Sequence, residues 1–213
     1  MTPTGYLTLA DGEEAVGEFE DRRSRFIAQL VHVESESQAD EFLTTVRARH
    51  HDARHNVPAW VLADGREKRS DDGEPQGTAG QPVLDVLHGA GLMDVCCVVT
   101  RYFGGTLLGP GGLVRAYTAA TQAAVAAAGS KGMVREMTLV VPVVAQVPYS
   151  AYERVRRMVA DAGGRVRDSV FAEDVQLTCA FRAGEERAFV EALREYAAGE
   201  NLCRVGEASF SEL

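Results

Sequence analysis

VCCVVTRYFGGTLLGPGGLVRAY, residues 95–117, joins a strand to a helix through a glycine-rich crossing. Val95 to Thr100 is a continuous apolar run of strand length, the pattern of a strand buried on both faces. Successive side chains in a strand point to opposite faces, so Cys96 and Cys97 are expected as core thiols. Arg101 to Gly112 then crosses to a helix that runs to about Ala128, its alanines suited to close packing on a sheet. Gly129, Ser130 and Gly132 end that helix and make the natural linker.

Gly104, Gly105, Gly109, Gly111 and Gly112 put five glycines in nine residues ahead of the helix. Such a segment exposes backbone N–H groups at the positive end of the helix dipole, with Arg101 and Arg115 beside it. That is the chemistry of an anion or phosphate site. The same glycines also suit a tight crossover in which backbones pack closely. Nucleotide fingerprints do not match, because Val114 occupies the third glycine position of G-x-G-x-x-G and no G-K-[ST] follows.

Upstream, Ala15 to Phe19 and Phe26 to Val33 flank the polar turn Asp21 to Ser24 and read as a β-hairpin. Ser35 or Ser37 caps a helix with Ala39, Phe42, Leu43 and Val46 at helical spacing and Arg47 and Arg49 in the last turn. It should end near His50. Val57 to Leu62 is a strand, Ala63 to Gly77 a long polar loop, and Thr78 with Gln81 a capping box for a short helix. Downstream, Leu139 to Val147 is a strand, Ser150 with Glu153 a capping box, and Gly163-Gly164 a helix end. Strands Arg165 to Phe171 and Val175 to Phe181, a helix to Tyr196 and a strand Leu202 to Phe210 complete the order β-α-β-β-α-β, that of a ferredoxin-like domain. Both halves read as sheets with helices on one face, an α+β protein.

Two further segments could carry chemistry. Ser70 to Thr78 places Asp71, Asp72 and Glu74 in a loop with Gly77 and Thr78; carboxylates that close can hold Mg²⁺ or share a proton, or simply favour the next helix N-terminus. His50 to Asn56 contains His51 and His55 at i and i+4, but the apolar periodicity stops at Val46, so His55 is expected packed at a strand start, with Asn56 beside it. No metal site, cofactor or catalytic Ser or Cys is nominated.

Among 213 residues, 46% are apolar and 25% charged, a composition that excludes disorder and collagen-like repeats. No run of about 18 apolar residues is present and no signal-like N-terminus is seen, so a cytoplasmic protein with no membrane partner is expected. The four cysteines form no C-x-x-C pair. Lys and Arg number 12 against 18 Asp and Glu up to residue 131, hence −6, and 10 against 13 after it, hence −3, summing to the net −9. Neither half is a basic arm, which argues against coating nucleic acid by charge alone.

Taken in order, DARHNVPAW (Asp52 to Trp60), SDDGEPQGTAGQPVLDVL (Ser70 to Leu87) and VVTRYFGGTLLGPGGLVRAY (Val98 to Tyr117) resemble the bacterial YigZ and eukaryotic IMPACT family. The likeness covers most of residues 14–128. It implies an N-terminal domain, residues 1–131, similar to domain 2 of ribosomal protein S5. Residues 132–213 resemble the family's ferredoxin-like C-terminal domain, itself similar to a domain of elongation factor G. Val57 stands where this family is expected to carry a cysteine. No catalytic or metal residue carries over, and the transferable expectation is a link to translation.

The leading expectation is a regulator linked to translation or RNA metabolism that docks on RNA or a ribosomal component. Arg101, Tyr102, Arg115 and the backbone at Gly104, Gly105, Gly109, Gly111 and Gly112 would meet phosphate, with Tyr102 or Phe103 available for base stacking. A protein partner without nucleic acid is the other binding expectation. The enzymatic alternative is a metal-dependent or general acid/base hydrolase using His55, Asp71, Asp72 and Glu74 on a small anionic or peptide substrate.

Overall fold

In the computed structural model, which describes residues 5–213, the first unit spans residues 6–135 and the second residues 136–213 with Gly5. The first is laid out as β1 (Gly5–Leu9), β2 (Glu14–Asp21), β3 (Ser24–His32), α1 (Glu36–Arg49), β4 (His55–Val61), β5 (Glu67–Arg69), α2 (Gly80–Gly89), β6 (Val95–Tyr102) and α3 (Gly109–Ser130). Its five-stranded sheet has the order β2-β3-β6-β4-β5. β1 stands apart from this sheet and bridges in parallel from Leu7 to Leu92.

β6 is central and buried along almost its whole length, as its unbroken apolar run requires. Cys97 and Val99 join Phe26, Ala28, Val57 and the faces of α2 and α3 in one core. Cys96 and Val98 point the other way, into a second cluster with Trp60 and Ala39 and Val46 of α1. The first unit therefore carries helices on both faces of its sheet, which corrects the expectation of one covered face. A strand apolar at every position has two faces to bury, so a single layer of helices would leave one wet.

Gly17 of β2 is where the sheet and α3 meet backbone to backbone: a Cβ there would lie 2.1 Å from Ala124 N. The β2–β3 hairpin turns through Arg22 and Arg23, whose φ angles are 47° and 67°. Positive φ at both central residues matches the strand twist of a two-residue hairpin, though Asn-Gly is the usual occupant. Ser35 caps α1 through its side chain on Gln38 N–H at 3.3 Å, and His50 closes it.

Several local expectations are corrected. The polar loop from Ala63 contains strand β5, which pairs with Ala59 to Val61 of β4. The Thr78–Gln81 capping box does not form, because Thr78 Oγ1 donates to Pro75 O at 2.6 Å and α2 has no side-chain cap of that kind. α3 begins at Gly109, so Gly111 and Gly112 are already helical.

The second unit contains β7 (Val134–Val147), a 3₁₀ turn (Tyr149–Ala151), α4 (Tyr152–Asp161), β8 (Arg165–Phe171), β9 (Val175–Arg182), α5 (Glu186–Tyr196), β10 (Cys203–Val205) and β11 (Ser209–Ser211). β7 pairs with β9 and β9 with β8, all antiparallel, and Val143, Leu177, Val155, Phe181 and Phe189 build the core under α4 and α5. This is the β-α-β-β-α-β order read from the sequence, with the last strand broken into two short pieces that both pair with β7. The Ser150–Glu153 box is absent; the 3₁₀ turn takes its place and Glu153 pairs with Arg156 at 3.1 Å.

Candidate functional site

The antiparallel register places Phe26 of β3, Arg101 of β6 and His55 of β4 directly opposite one another. This row lies one step beyond the apolar row Ala28, Val99 and Val57, so it closes the same core face with polar chemistry. Arg101 is 7% exposed. Its guanidinium lies 5.5 Å from the Phe26 ring centroid and 5.6 Å from that of Phe103, a cation–π arrangement between two rings.

Glu74 is brought to this row by the loop after β5. Arg101 Nη1 donates to both of its carboxylate oxygens, at 2.7 and 2.9 Å, and Tyr117 of α3 donates its hydroxyl at 2.8 Å. Burial, reinforced by the neighbouring carboxylate, pushes the Tyr117 hydroxyl far above its ordinary pKa, which keeps it a donor. Tyr117 was not singled out by the sequence. A tyrosine on the apolar stripe of an alanine-rich helix is the signal that could have found it, since a buried phenol needs a partner.

His55 Nδ1 meets the carbonyl of Asp72 at 2.8 Å, and a carbonyl only accepts, so Nδ1 carries a proton. Nε2 then faces Glu74 Oε1 at 4.0 Å. Asp72 accepts the N–H of Asn56 at 2.6 Å and a donor of Arg47 at 2.7 Å. Asn56 in turn accepts the Thr100 hydroxyl at 2.7 Å on the opposite face of the sheet. His55 is thus packed and bonded at its strand start, and the helix that would align it with His51 ends at Arg49.

Asp71 has a different task. Its carboxylate accepts the N–H groups of Gly77, Ala79 and Gly80 at 2.7, 3.1 and 2.9 Å, capping α2 from outside the helix. Burial works to raise its pKa, but these three amides and the charge of Arg69 outweigh it and hold the carboxyl below its ordinary value. Asp71, Asp72 and Glu74 are therefore divided among three separate tasks. Among the described residues, no group of three or more His, Cys, Asp or Glu is placed to share a metal ion.

The glycine segment splits likewise. A Cβ on Gly104 would lie 2.1 Å from the backbone carbon of Arg23, and Gly104 N–H bonds Ser24 Oγ at 3.1 Å, so this glycine permits close backbone packing. Gly105 and Gly109 have φ of 87° and 71°, and Gly111 faces open space. Tyr102 turns toward Asp52 and His50, at 3.1 and 2.9 Å. Phe103 is 52% exposed and Leu107 80%. Arg22 reaches Leu107 O at 3.3 Å and Arg23 is exposed beside Gly104, while Arg115, on α3, is exposed with no ion pair or side-chain hydrogen bond among the described residues. Arg101, expected as a surface cation with Arg115, is instead buried and paired, and Arg22 and Arg23 supply the positive rim.

Comparison with known proteins places these features in a family. The Impact N-terminal domain matches residues 22–125, and a domain of unknown function, DUF1949, matches residues 146–200. The IMPACT family member YvyE of Bacillus subtilis is 34% identical over 97% of this chain and 94% of its own length. The family member YigZ of Escherichia coli is 36% identical over 84% and 88%. The Protein IMPACT homolog of Saccharomyces cerevisiae is 34% identical over 47% of this chain and 41% of its own length. A crystal structure described as that of a hypothetical protein superposes with a TM-score of 0.61 at 31% identity, covering 96% of this chain and 98% of the other. No helix among the described residues is long and apolar enough to cross a membrane. On the full-length likeness to YvyE and the motifs gathered around Glu74, the chain belongs to the IMPACT family.

Proposed function

We propose that this protein is a cytoplasmic regulator linked to translation that docks on RNA through the rim of the glycine loop. The observation that carries the reading is the exposed Phe103 beside Gly104, whose backbone packs on Arg23, with Arg22 reaching Leu107 O in the same loop. An accessible aromatic face among arginines offers base stacking and phosphate pairing together, the combination used for single strands. Backbone strain points the same way. Arg22 and Arg23 occupy left-handed positions that cost each of them about 1–2 kcal/mol, where Asn-Gly would cost less. Holding two arginines there displays them beside the loop.

The hydrolytic alternative has less support. Both oxygens of Glu74 are engaged by Arg101, and Oε1 also serves Tyr117, so the carboxylate is not a free base. A local cationic rim is compatible with a chain of net charge −9, because only the surface that meets RNA needs to be positive.

The test is fluorescence anisotropy with short single- and double-stranded RNA, using the wild type and Phe103→Ala. The proposal expects preference for the single strand and a loss of about 1–3 kcal/mol in the variant, the worth of one stacked base. Equal binding by both proteins would remove the stacking role. Capture of a protein partner that survives nuclease treatment, with no RNA affinity at low salt, would replace RNA by protein.

A further inference from the structure

A cleft of about 170 Å³ opens between α1 and the β4–β5 hairpin, lined by no residue of the Phe103 rim. Arg47, Lys68 and Arg69 line it together with a single carboxylate, Asp40, in a chain whose overall charge is −9. Arg47 uses Nη2 on Asp72 at 2.7 Å and Lys68 uses one proton on Glu36 at 2.6 Å, so each keeps further donors. Arg69 is exposed and enters no ion pair or side-chain hydrogen bond among the described residues, its charge acting only at a distance on Asp71. Ser70 Oγ accepts the N–H of Asp72 at 3.1 Å, which leaves its own proton to donate. Trp60 forms an apolar wall.

We propose that this cleft binds a small phosphate monoester. Arg69 brings a charge unpaired among the described residues, Arg47 and Lys68 bring donors beyond those used on Asp72 and Glu36, and Ser70 brings a hydroxyl, a donor set that suits phosphate oxygens, which Arg meets with a planar fork. Size limits the rest of the ligand. At about 30 Å³ per water the cleft holds the equivalent of about five or six waters, which is a phosphate on a body of a few atoms. It falls short of the roughly 300 Å³ at which sites for larger ligands begin, so a larger ligand would seat only its phosphate there and leave its body outside the cleft. Asp40, whose charge acts on Lys68, favours a body bearing a hydroxyl or ammonium over a second acid. The inference does not rest on the RNA reading, since none of the rim residues lines the cleft.

Trp60 is the only tryptophan in the chain and reports occupancy directly. The experiment titrates the full chain with inorganic phosphate and with glycerol 3-phosphate at constant ionic strength, by Trp60 fluorescence and by calorimetry. Saturable binding is expected, weakened about tenfold in Arg69→Ala, the loss of one charge-assisted hydrogen bond, and unchanged in Arg115→Ala. Arg69 holds no ion pair or side-chain hydrogen bond among the described residues, so its variant keeps the fold, checked by an unchanged thermal midpoint. Two ten-nucleotide RNAs, with and without a 5′-phosphate, separate the sources. Preference for the phosphorylated end that disappears in Arg69→Ala assigns a strand terminus, and equal affinity assigns a free small ester. No saturable change with either small probe up to about 10 mM, or equal affinity in wild type and Arg69→Ala, overturns the proposal.

Discussion

Arg101 Nη1 sits 2.7 and 2.9 Å from the two carboxylate oxygens of Glu74, with 8% and 4% of the two side chains exposed. A pair this buried is costly to break from one side, because the survivor is left as an uncompensated charge. Glu74→Ala is therefore expected to cost about 3–5 kcal/mol in urea unfolding. The double variant Glu74→Leu with Arg101→Met should recover much of that loss, since an apolar pair of similar volume needs no partner. A single-variant cost below about 1 kcal/mol would mean that the pair is solvated in solution.

Asp71 gives a pH signature. Its folded-state pKa lies below the ordinary 3.8, so its contribution is complete above that value and is lost as pH falls through the lower folded value. Asp71→Asn should cost about 1–2 kcal/mol at neutral pH, the range of a lost helix cap. Its stability should fall less steeply than that of the wild type below about pH 4. Parallel acid limbs for the two proteins would remove Asp71 as the cap of α2.

Two glycines answer to space rather than to φ. A Cβ at Gly17 meets the backbone of Ala124 at 2.1 Å and one at Gly104 meets that of Arg23 at 2.1 Å; backbone cannot swing aside as a side-chain end would. Gly17→Ala and Gly104→Ala should each lower stability by about 3 kcal/mol or more, beyond the usual overpacking range, whereas Gly111→Ala, in open space, should be neutral or stabilising. Thermal midpoints of the three variants check the order.

Thiol reactivity follows burial. Burial pushes the Cys97 thiol up to about 12 and that of Cys96 well above its ordinary range, while Cys203 is raised and half-buried. A thiol reagent at pH 8 should modify Cys203 first and reach Cys96 and Cys97 only on unfolding. Fast labelling of Cys96 in the native protein would contradict the two-faced burial of β6.

Much of this architecture was legible in local pattern. The unbroken run Val95 to Thr100 announced a doubly buried strand, Ser35 or Ser37 announced a cap that Ser35 supplies, and the second unit's order followed from its alternation and glycine helix ends, although the Ser150–Glu153 cap does not form. The site was less legible, for a physical reason. Glu74 meets Arg101 across 27 residues and Tyr117 across 43, and no sequence period encodes such distances. The three motifs could be seen, but not which of the three carboxylates faced inward. Its place beside the glycine-rich segment also suggested Arg101 as a phosphate-facing cation, whereas its position opposite Phe26 and His55 places it at the end of the core face. β5 was missed because Glu67 to Arg69 are all exposed, so its alternation leaves no hydrophobic trace.

The central claim is that the Phe103 rim meets phosphate. The direct measurement is the salt dependence of affinity for a labelled single-stranded RNA, in the wild type and in Arg22→Ala/Arg23→Ala/Arg115→Ala, none of which removes a buried partner. Each arginine–phosphate pairing removed should flatten the slope of log affinity against log salt by about 0.7. A variant weaker at low salt with a slope flatter by about 2 is the predicted result. Identical affinity and slope in the two proteins would contradict the claim.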